Sequence, residues 1–429
     1  MDIRITPTDR FGGTINAVAS KSDAHRLLIC AALSDGETFV RCPEKSKDIS
    51  ATISCLSSLG AGFLEHEDGY LVTPIAEPTE NATLDCGESG TTYRFMLSLV
   101  SALGTGAALI GHGRLPDRPL SPLYETLAGN GVSLSEKGTN PLLVSGQLSG
   151  REFSFSGDVS SQYASGLLLA FPLLATRENA PVSLTLTGKI ESLPYLDLTL
   201  RAMRAFGISI ESEWKSADAL CFTVSPSRYR SMKAVSAEGD YSSAAFFLAA
   251  GAIGAAPVSI QGLAVDSPQG DRRILSLLRR FGASVEESTD VIRVSPAPLS
   301  GITIDASQIP DLVPILAVVA AAATGETRIE NAARLRLKES DRLLTVHRLI
   351  EALGGSVTEG KDYLVIRGSG TLRGGSVSAE NDHRIAMSAA IASLISEEPV
   401  TIRGAECAEK SYPRFYSDAR AIGFSVTLL

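Results

Sequence analysis

Six stretches of this sequence combine residues suited to a helix start with side chains that could do chemistry. They are Ser20-Lys21-Ser22-Asp23-Ala24-His25-Arg26, Gly87-Glu88-Ser89-Gly90-Thr91-Thr92-Tyr93-Arg94, Ser160-Ser161-Gln162-Tyr163, Gly239-Asp240-Tyr241-Ser242-Ser243, Ile309-Pro310-Asp311 and Asn381-Asp382-His383-Arg384. A helix start leaves backbone N–H groups without intrahelical partners and carries partial positive charge. One such start, taken alone, reads as simple capping, because Ser, Asp and Asn are good N-caps. Repetition with Lys21, Arg26, Arg94 and Arg384 embedded points instead to recognition of phosphate or carboxylate, which Arg can grip in a bidentate fork.

Two further runs are rich in charge. Gly111-His112-Gly113-Arg114-Leu115-Pro116-Asp117-Arg118-Pro119 sets two arginines between Gly and Pro. It fits a restrained segment that closes over an anion and, equally, an exposed salt-bridging loop. Arg334-Leu335-Arg336-Leu337-Lys338-Glu339-Ser340-Asp341-Arg342 alternates with a strand-like period before entering a helix, which draws Lys338, Glu339 and Arg342 together. Taken alone, it reads best as a solvated charged turn.

The elements that must position these residues repeat along the chain. Each polar start leads into an Ala-rich apolar run and a short strand, at intervals of about 70 residues, too long for a solenoid repeat. A second element recurs out of phase, an amphipathic helix that ends in Gly. Its copies end at Gly60, Gly129, Gly207, Gly282, Gly354 and Gly423, where Gly supplies the left-handed helix cap. Six copies of each element imply six βαβαββ-like units, and six units divide into two similar α/β domains of three. Runs such as Ala317 to Ala323 and Ala386 to Ala392 are apolar nearly all round, so the helices should be buried with sheets around them.

Composition narrows the function. The chain has 429 residues, 44% of them apolar and 20% charged, which predicts a globular enzyme or binding protein of two domains. A net charge of -9 with scattered Lys and Arg argues against nucleic acid and anionic membrane as partners. The opening Met1-Asp2-Ile3-Arg4-Ile5-Thr6 reads as a strand, so a cytoplasmic location is expected. The stretch Ala244 to Ile260 contains Pro257 and reads as a buried helix and a strand. Six cysteines without C-x-x-C or zinc-like spacing are expected as reduced thiols, with no metal.

With these residues in view, the whole chain resembles the enolpyruvyl transferases, and most closely their EPSP synthase branch. The resemblance rests on Ser20-Lys21-Ser22 with Arg26, Ser89-Gly90-Thr91 with Arg94, the Arg114 to Pro119 loop, Ser160-Ser161-Gln162, Leu337-Lys338-Glu339-Ser340-Asp341-Arg342-Leu343, Asn381-Asp382-His383-Arg384, and Lys410. It implies two domains, each of three inverse βαβαββ units. Residues 1–17 with 237–429 would form one, on the phosphoenolpyruvate side and carrying Asp311 and Glu339. Residues 18–236 would form the other, which mainly holds shikimate 3-phosphate.

The resemblance also implies residue roles. Lys21, Ser22, Arg26, Ser160, Ser161, Gln162, Ser192, Tyr195, Asp311 and Lys338 would hold shikimate 3-phosphate; Lys21, Gly90, Arg114, Gln162, Arg342, Arg384 and Lys410 would surround phosphoenolpyruvate. Asp311 would orient and deprotonate the acceptor 5-hydroxyl, while Lys21 and Glu339 would move the donor's methylene proton. No cofactor is implied, and a monomer is expected. Glu88 stands where the family often has Asn, and Arg334 where an Asn touching the acceptor phosphate is often found. The family's inhibitor glyphosate would sit in the donor pocket beside Gly90. The related UDP-N-acetylglucosamine transferases characteristically carry Cys in the loop that here reads His112 to Arg118 without one. A silent anion binder on the same scaffold would need cations, but not Lys21, Asp311 and Glu339 together.

Overall fold

The structure is a computed structural model that describes residues 1–8 and 10–429. The chain forms two compact units, Lys21–Ala237 and Met1–Ser20 with Glu238–Leu429.

In Lys21–Ala237 there are three four-stranded sheets, each with the same order of strands. In one, Glu152–Ser156 runs parallel to Val182–Thr187, which pairs antiparallel with Ala219–Val224, whose outer neighbour is Ile210–Ser216. Alternation places Phe153, Leu184 and Phe222 in register on the buried face. The sheet built on Thr38–Arg41 takes its outer parallel strand, Ala234–Ser236, from the far end of the unit. The helices Lys21–Ala32, Gly90–Leu103 and Ser161–Glu178 lie inside. Nearly every residue of Gly90–Leu103 is buried, the polar Thr92, Arg94, Ser98 and Ser101 included.

The second unit repeats the plan. Its sheets follow the same order, and the chain's first strand, Asp2–Thr6, lies between Val400–Arg403 and Ser425–Leu428 with Ile3 and Ile5 buried. The helices Tyr241–Ile253, Val313–Ala322 and His383–Ala392 pack on one another in a single core with the sheets outside. The fold is thus α/β with six βαβαββ repeats, as the recurring polar starts predict.

The glycine that follows each second helix has a positive φ: Gly60 (108°), Gly131 (90°), Gly207 (79°), Gly282 (121°), Gly354 (83°) and Gly423 (106°). In one repeat the left-handed residue is therefore Gly131, because Gly129 keeps a right-handed φ of -72°. The run from Arg334 differs from its strand-like reading: Ala333–Leu337 is a 3-10 helix, and only Leu335 of its two leucines is buried. A tight turn of about three residues leaves alternate side chains on different faces from those a strand would give.

Among the described residues, no helix is long and apolar enough to cross a membrane. The six cysteines are free thiols.

Candidate active site

In Lys21–Ala237 most candidate residues lie at four helix starts. Lys21 opens its helix and pairs with Asp48, at the start of Lys47–Ser58, over 2.8 Å. Arg26, one turn on, is almost wholly buried. Its Nε donates to Thr199 Oγ1 (2.8 Å), Nη1 to the Ser22 carbonyl (2.5 Å), and Nη2 to the Tyr195 carbonyl (3.0 Å) and Ser165 Oγ (3.3 Å). Its guanidinium faces the Phe95 ring at 5.2 Å. Burial pushes Arg26 down to about 10, so it remains a cation at neutral pH. Arg26 thereby ties Ser22 to the backbone at Tyr195.

Ser160 caps the helix Ser161–Glu178 by accepting from the Gln162 amide at 3.3 Å. The Gln162 side chain accepts from Arg94 Nη1 (2.5 Å) and donates to Thr91 Oγ1 (2.8 Å). Arg94 also donates to the Pro119 carbonyl at 3.3 Å and faces the Tyr163 ring at 5.4 Å. Ser192 is buried in a left-handed conformation, φ 58°, before the helix Leu193–Ala205, and its carbonyl accepts from the Tyr195 amide. A non-glycine residue at positive φ is a strained conformation that surrounding packing must enforce.

Gly90 opens its helix behind the N-cap Ser89. A Cβ there would lie 2.7 Å from Arg118 Nη1 and 2.8 Å from Arg94 Nη1. The arginine that the 111–119 loop brings to Gly90 is therefore Arg118; Arg114, the expected one, is exposed at the start of the 3-10 turn Leu115–Asp117. Glu88 lies against the same loop, since a Cβ on Gly113 would come within 2.8 Å of its Oε2.

In the second unit the candidates form one ionic cluster around Arg342, whose side chain is 1% exposed. Nη1 donates to Asp311 Oδ1 (2.7 Å), Nη2 to Glu339 Oε2 (2.6 Å) and to Asp382 Oδ1 (3.2 Å), and Nε to Asp382 Oδ2 (2.8 Å). Those bonds use four of its five N–H groups. Burial opposes the Arg342 charge, but Asp382, Glu339 and Asp311 outweigh it and hold its pKa above the usual value. Burial likewise pushes the Asp382 carboxyl up, yet Arg342 wins and keeps it below the ordinary range.

Asp311 sits in the 3-10 turn Pro310–Leu312 ahead of Val313–Ala322. It also meets Lys338 Nζ at 3.3 Å and Arg384 Nη2 at 3.7 Å, and its carbonyl accepts from Arg384 Nη1 at 3.0 Å. Burial lowers Lys338, against the pull of Asp311. Asp382 caps His383–Ala392 through the Arg384 amide (3.0 Å) and accepts from Ser340 Oγ (2.9 Å). Lys410 donates to the Asn381 carbonyl at 2.7 Å. Arg334 lies in the 3-10 turn Ala333–Leu337 that leads to Lys338.

Reasoning from sequence did not give roles to Asp48, Asp382, Arg118 or Asp271. Asp271 is buried in the turn Gly270–Arg273, and one of its oxygens accepts from Ser242 Oγ. Burial, then the Asp311 charge, push its carboxyl up to about 6. The first two carried a signal, an acidic residue at a helix start, that capping alone explains. Among the described residues no group of three or more His, Cys, Asp or Glu is gathered to hold a metal ion.

Inverse βαβαββ repeats with cations, hydroxyls and carboxylates at the helix starts define an enolpyruvyl transferase. A family profile described as EPSP synthase (3-phosphoshikimate 1-carboxyvinyltransferase) matches residues 5–418, and the chain belongs to that family. It is 37% identical over 424 residues to a protein of Clostridium kluyveri named 3-phosphoshikimate 1-carboxyvinyltransferase, with 98% of this chain and 97% of that one covered. A protein of the same name from Clostridium acetobutylicum is 39% identical over 421 residues, covering 96% of each. Among solved structures, EPSP synthase from Acinetobacter baumannii superposes with a TM-score of 0.80 at 27% identity over both whole chains. The enolpyruvyl transferase NikO from Streptomyces tendae shares the fold, with a TM-score of 0.76 at 18% identity over 99% of this chain and 98% of that one.

Proposed function

We infer that this chain transfers the enolpyruvyl group of phosphoenolpyruvate to the 5-hydroxyl of shikimate 3-phosphate and releases phosphate, in the shikimate route to aromatic amino acids. Within the family, the observation that carries the reading is Arg342 held by Asp311, Glu339 and Asp382 with Lys338 beside them. A site for binding alone gains nothing from carboxylates that offset its cations. Carboxylates at a cationic centre suit a reaction that must move protons while holding anions.

We assign the residues as follows. Ser22, Arg26, Ser160, Ser161, Gln162, Ser192, Tyr195, Lys338 and Asp311 hold shikimate 3-phosphate, with Ser160, Ser161 and Ser192 at its phosphate. Lys21, Gly90, Gln162, Arg342, Arg384 and Lys410 surround phosphoenolpyruvate. Arg118 takes the part expected of Arg114, because it is the loop arginine that approaches Gly90. A carboxylate and a phosphate lose strong hydration on binding, and several cations compensate that loss.

In the addition step a proton reaches the donor methylene, C2 becomes electrophilic, and the acceptor oxygen bonds to C2 while its own proton passes to Asp311. In the elimination step the bond from C2 to the phosphate oxygen breaks, phosphate leaves with the electron pair, and the methyl group returns a proton. Lys21 and Glu339 serve that methylene exchange. Glu339 and Asp311 share Arg342, which holds both carboxylates close to one cation.

The reading includes a monomer, which sedimentation tests. Six thiols without a disulfide suit a reducing compartment and support a cytoplasmic location. The test of activity is phosphate release from phosphoenolpyruvate with shikimate 3-phosphate, beside UDP-N-acetylglucosamine as competing acceptor. Release with shikimate 3-phosphate alone, lost in Lys21→Ala, is the expected result. Release with the nucleotide sugar alone, or with neither acceptor, overturns the reading.

A further inference from the structure

Behind Lys21 and Gly90 runs a row of buried polar side chains that the reaction does not use. His25 lies one turn along the helix from Lys21 and is fully buried. Its Nδ1 is 2.7 Å from Thr52 Oγ1, and Thr52 Oγ1 is 2.7 Å from Thr92 Oγ1. Thr92 Oγ1 donates to Ser89 Oγ at 2.8 Å and lies 3.4 Å from the Asp48 carbonyl. Thr52, Thr92 and Ser89 are as buried as His25.

Two rungs therefore join the helices Lys21–Ala32 and Lys47–Ser58. The outer is Lys21 to Asp48, and the inner, four residues on in each helix, is His25 to Thr52. The inner rung continues, through Thr92, to Ser89, the cap that sets where the helix of Gly90 begins.

Counting protons fixes the state of the ring. Thr92 has one hydroxyl proton, and both Ser89 Oγ and the Asp48 carbonyl draw it away, so toward Thr52 it accepts. Thr52 must then donate to Thr92 and can only accept from His25, which puts a proton on Nδ1. Burial, with Lys21 and Arg26 close by, holds His25 well below its ordinary pKa, so the ring is neutral and Nε2 carries no proton. Nε2 is buried without a hydrogen-bond partner. A bare acceptor is the less costly group to leave there than an N–H.

We propose that His25, as its neutral Nδ1–H tautomer, is a positioning residue that holds Lys21 and the start of the Gly90 helix at one spacing through Thr52 and Thr92. The proposal rests on the assignment of Lys21 and Gly90 to the phosphoenolpyruvate site. Asn at position 25 carries an amide donor near the place of Nδ1, whereas Leu has the bulk and no donor.

Long-range 1H–15N spectra of the histidine-labelled full-length protein read the tautomer without substrate. A proton on Nδ1 of His25 from pH 6.5 to 8 is expected, and a proton on Nε2 overturns the proposal whether or not the enzyme is active. Steady-state phosphate release then compares the variants. His25→Leu should raise the KM for phosphoenolpyruvate about tenfold, the loss expected for one buried hydrogen bond, with the KM for shikimate 3-phosphate changed less than about twofold. His25→Asn should recover most of that loss. Equal changes in both KM values, or no recovery by Asn, overturn the proposal; failure of the wild-type protein to release phosphate would overturn the activity and leave the tautomer to be judged by its spectrum.

Discussion

The two units hold the buried arginines of their candidate sites in opposite ways. In Lys21–Ala237 two buried candidate arginines lean on neutral oxygens: Arg26 on hydroxyls and carbonyls, Arg94 on the Gln162 amide and the Pro119 carbonyl. Around Arg342, by contrast, three carboxylates meet one guanidinium. Neutral acceptors aim a cation without cancelling its charge, so the first arrangement suits a ligand that arrives as a dianion. Carboxylates cancel the charge and supply groups that take up protons, so the second suits proton transfer. Lys21 differs from those two arginines in pairing with a carboxylate, Asp48, and it is the cation to which a proton-moving role is assigned.

The largest expected effects test that division directly. Asp311→Asn keeps an acceptor for Arg342 and removes the base, so kcat should fall by roughly 10²–10⁴ with little change in either KM. Arg118→Ala removes a cation and no proton-transfer group. It should raise the KM for phosphoenolpyruvate by roughly a hundredfold while kcat falls far less. Steady-state phosphate release measures both, and the comparison breaks if the two variants show the same split.

Stability should divide the same way. Asp382→Leu leaves Arg342 buried without its two-point partner, a loss of about 3–5 kcal/mol for one half of a buried pair. Gln162→Leu removes a neutral acceptor from Arg94 and should cost about 1–2 kcal/mol. Chemical denaturation of both variants gives the comparison, and equal losses would sink it.

Much of this architecture is legible in the sequence, and what is not follows from particular residues. The repeats show because each needs the same local chemistry: a polar helix start, an apolar helix, and a residue free to adopt positive φ. The loop is harder. Arg114 and Arg118 bracket the turn Leu115–Asp117, and only the turn decides which of them meets Gly90. The alternation from Arg334 to Lys338 has period two on paper, yet the chain coils into a 3-10 helix that leaves Leu337 45% exposed. Asp48 and Asp382 are hidden for another reason. An acidic residue at a helix start is favourable whether or not tertiary structure brings it a Lys or Arg, so its local fitness conceals its second partner.

Asp271 is an acid with no cation in hydrogen-bond contact, beside a cluster where every other carboxylate has one. Its carboxyl is raised from about 3.8 to about 6 by burial and then by Asp311, so in the folded state the proton is favoured. The stability this contributes is complete below pH 4 and is lost as pH rises through about 6, up to about 3 kcal/mol. Asn cannot ionise and keeps an oxygen for Ser242. Asp271→Asn should therefore gain on the wild type in thermal unfolding between pH 4 and pH 7, with the difference level above pH 7. A difference that stays constant across that range would mean Asp271 does not change its charge there.

The smallest effect belongs to Gly90, and it probes the neutral-oxygen unit most finely. A methyl group there meets Arg118 and Arg94 at 2.7 and 2.8 Å, closer than carbon and nitrogen pack, but both contacts are with the ends of flexible side chains. The guanidiniums can shift by a few tenths of an ångström without disturbing the helix, so Gly90→Ala should fold as the wild type does. Because Arg94 is tied to Gln162 and to the Pro119 carbonyl, that shift detunes the cations rather than releasing them. The KM for phosphoenolpyruvate should rise about tenfold at nearly unchanged kcat, and inhibition by glyphosate should weaken by at least as much. Glyphosate inhibition equal in Gly90→Ala and the wild type would place these two arginines away from the donor pocket and leave the carboxylate-bound Arg342 cluster as the anion's main anchor.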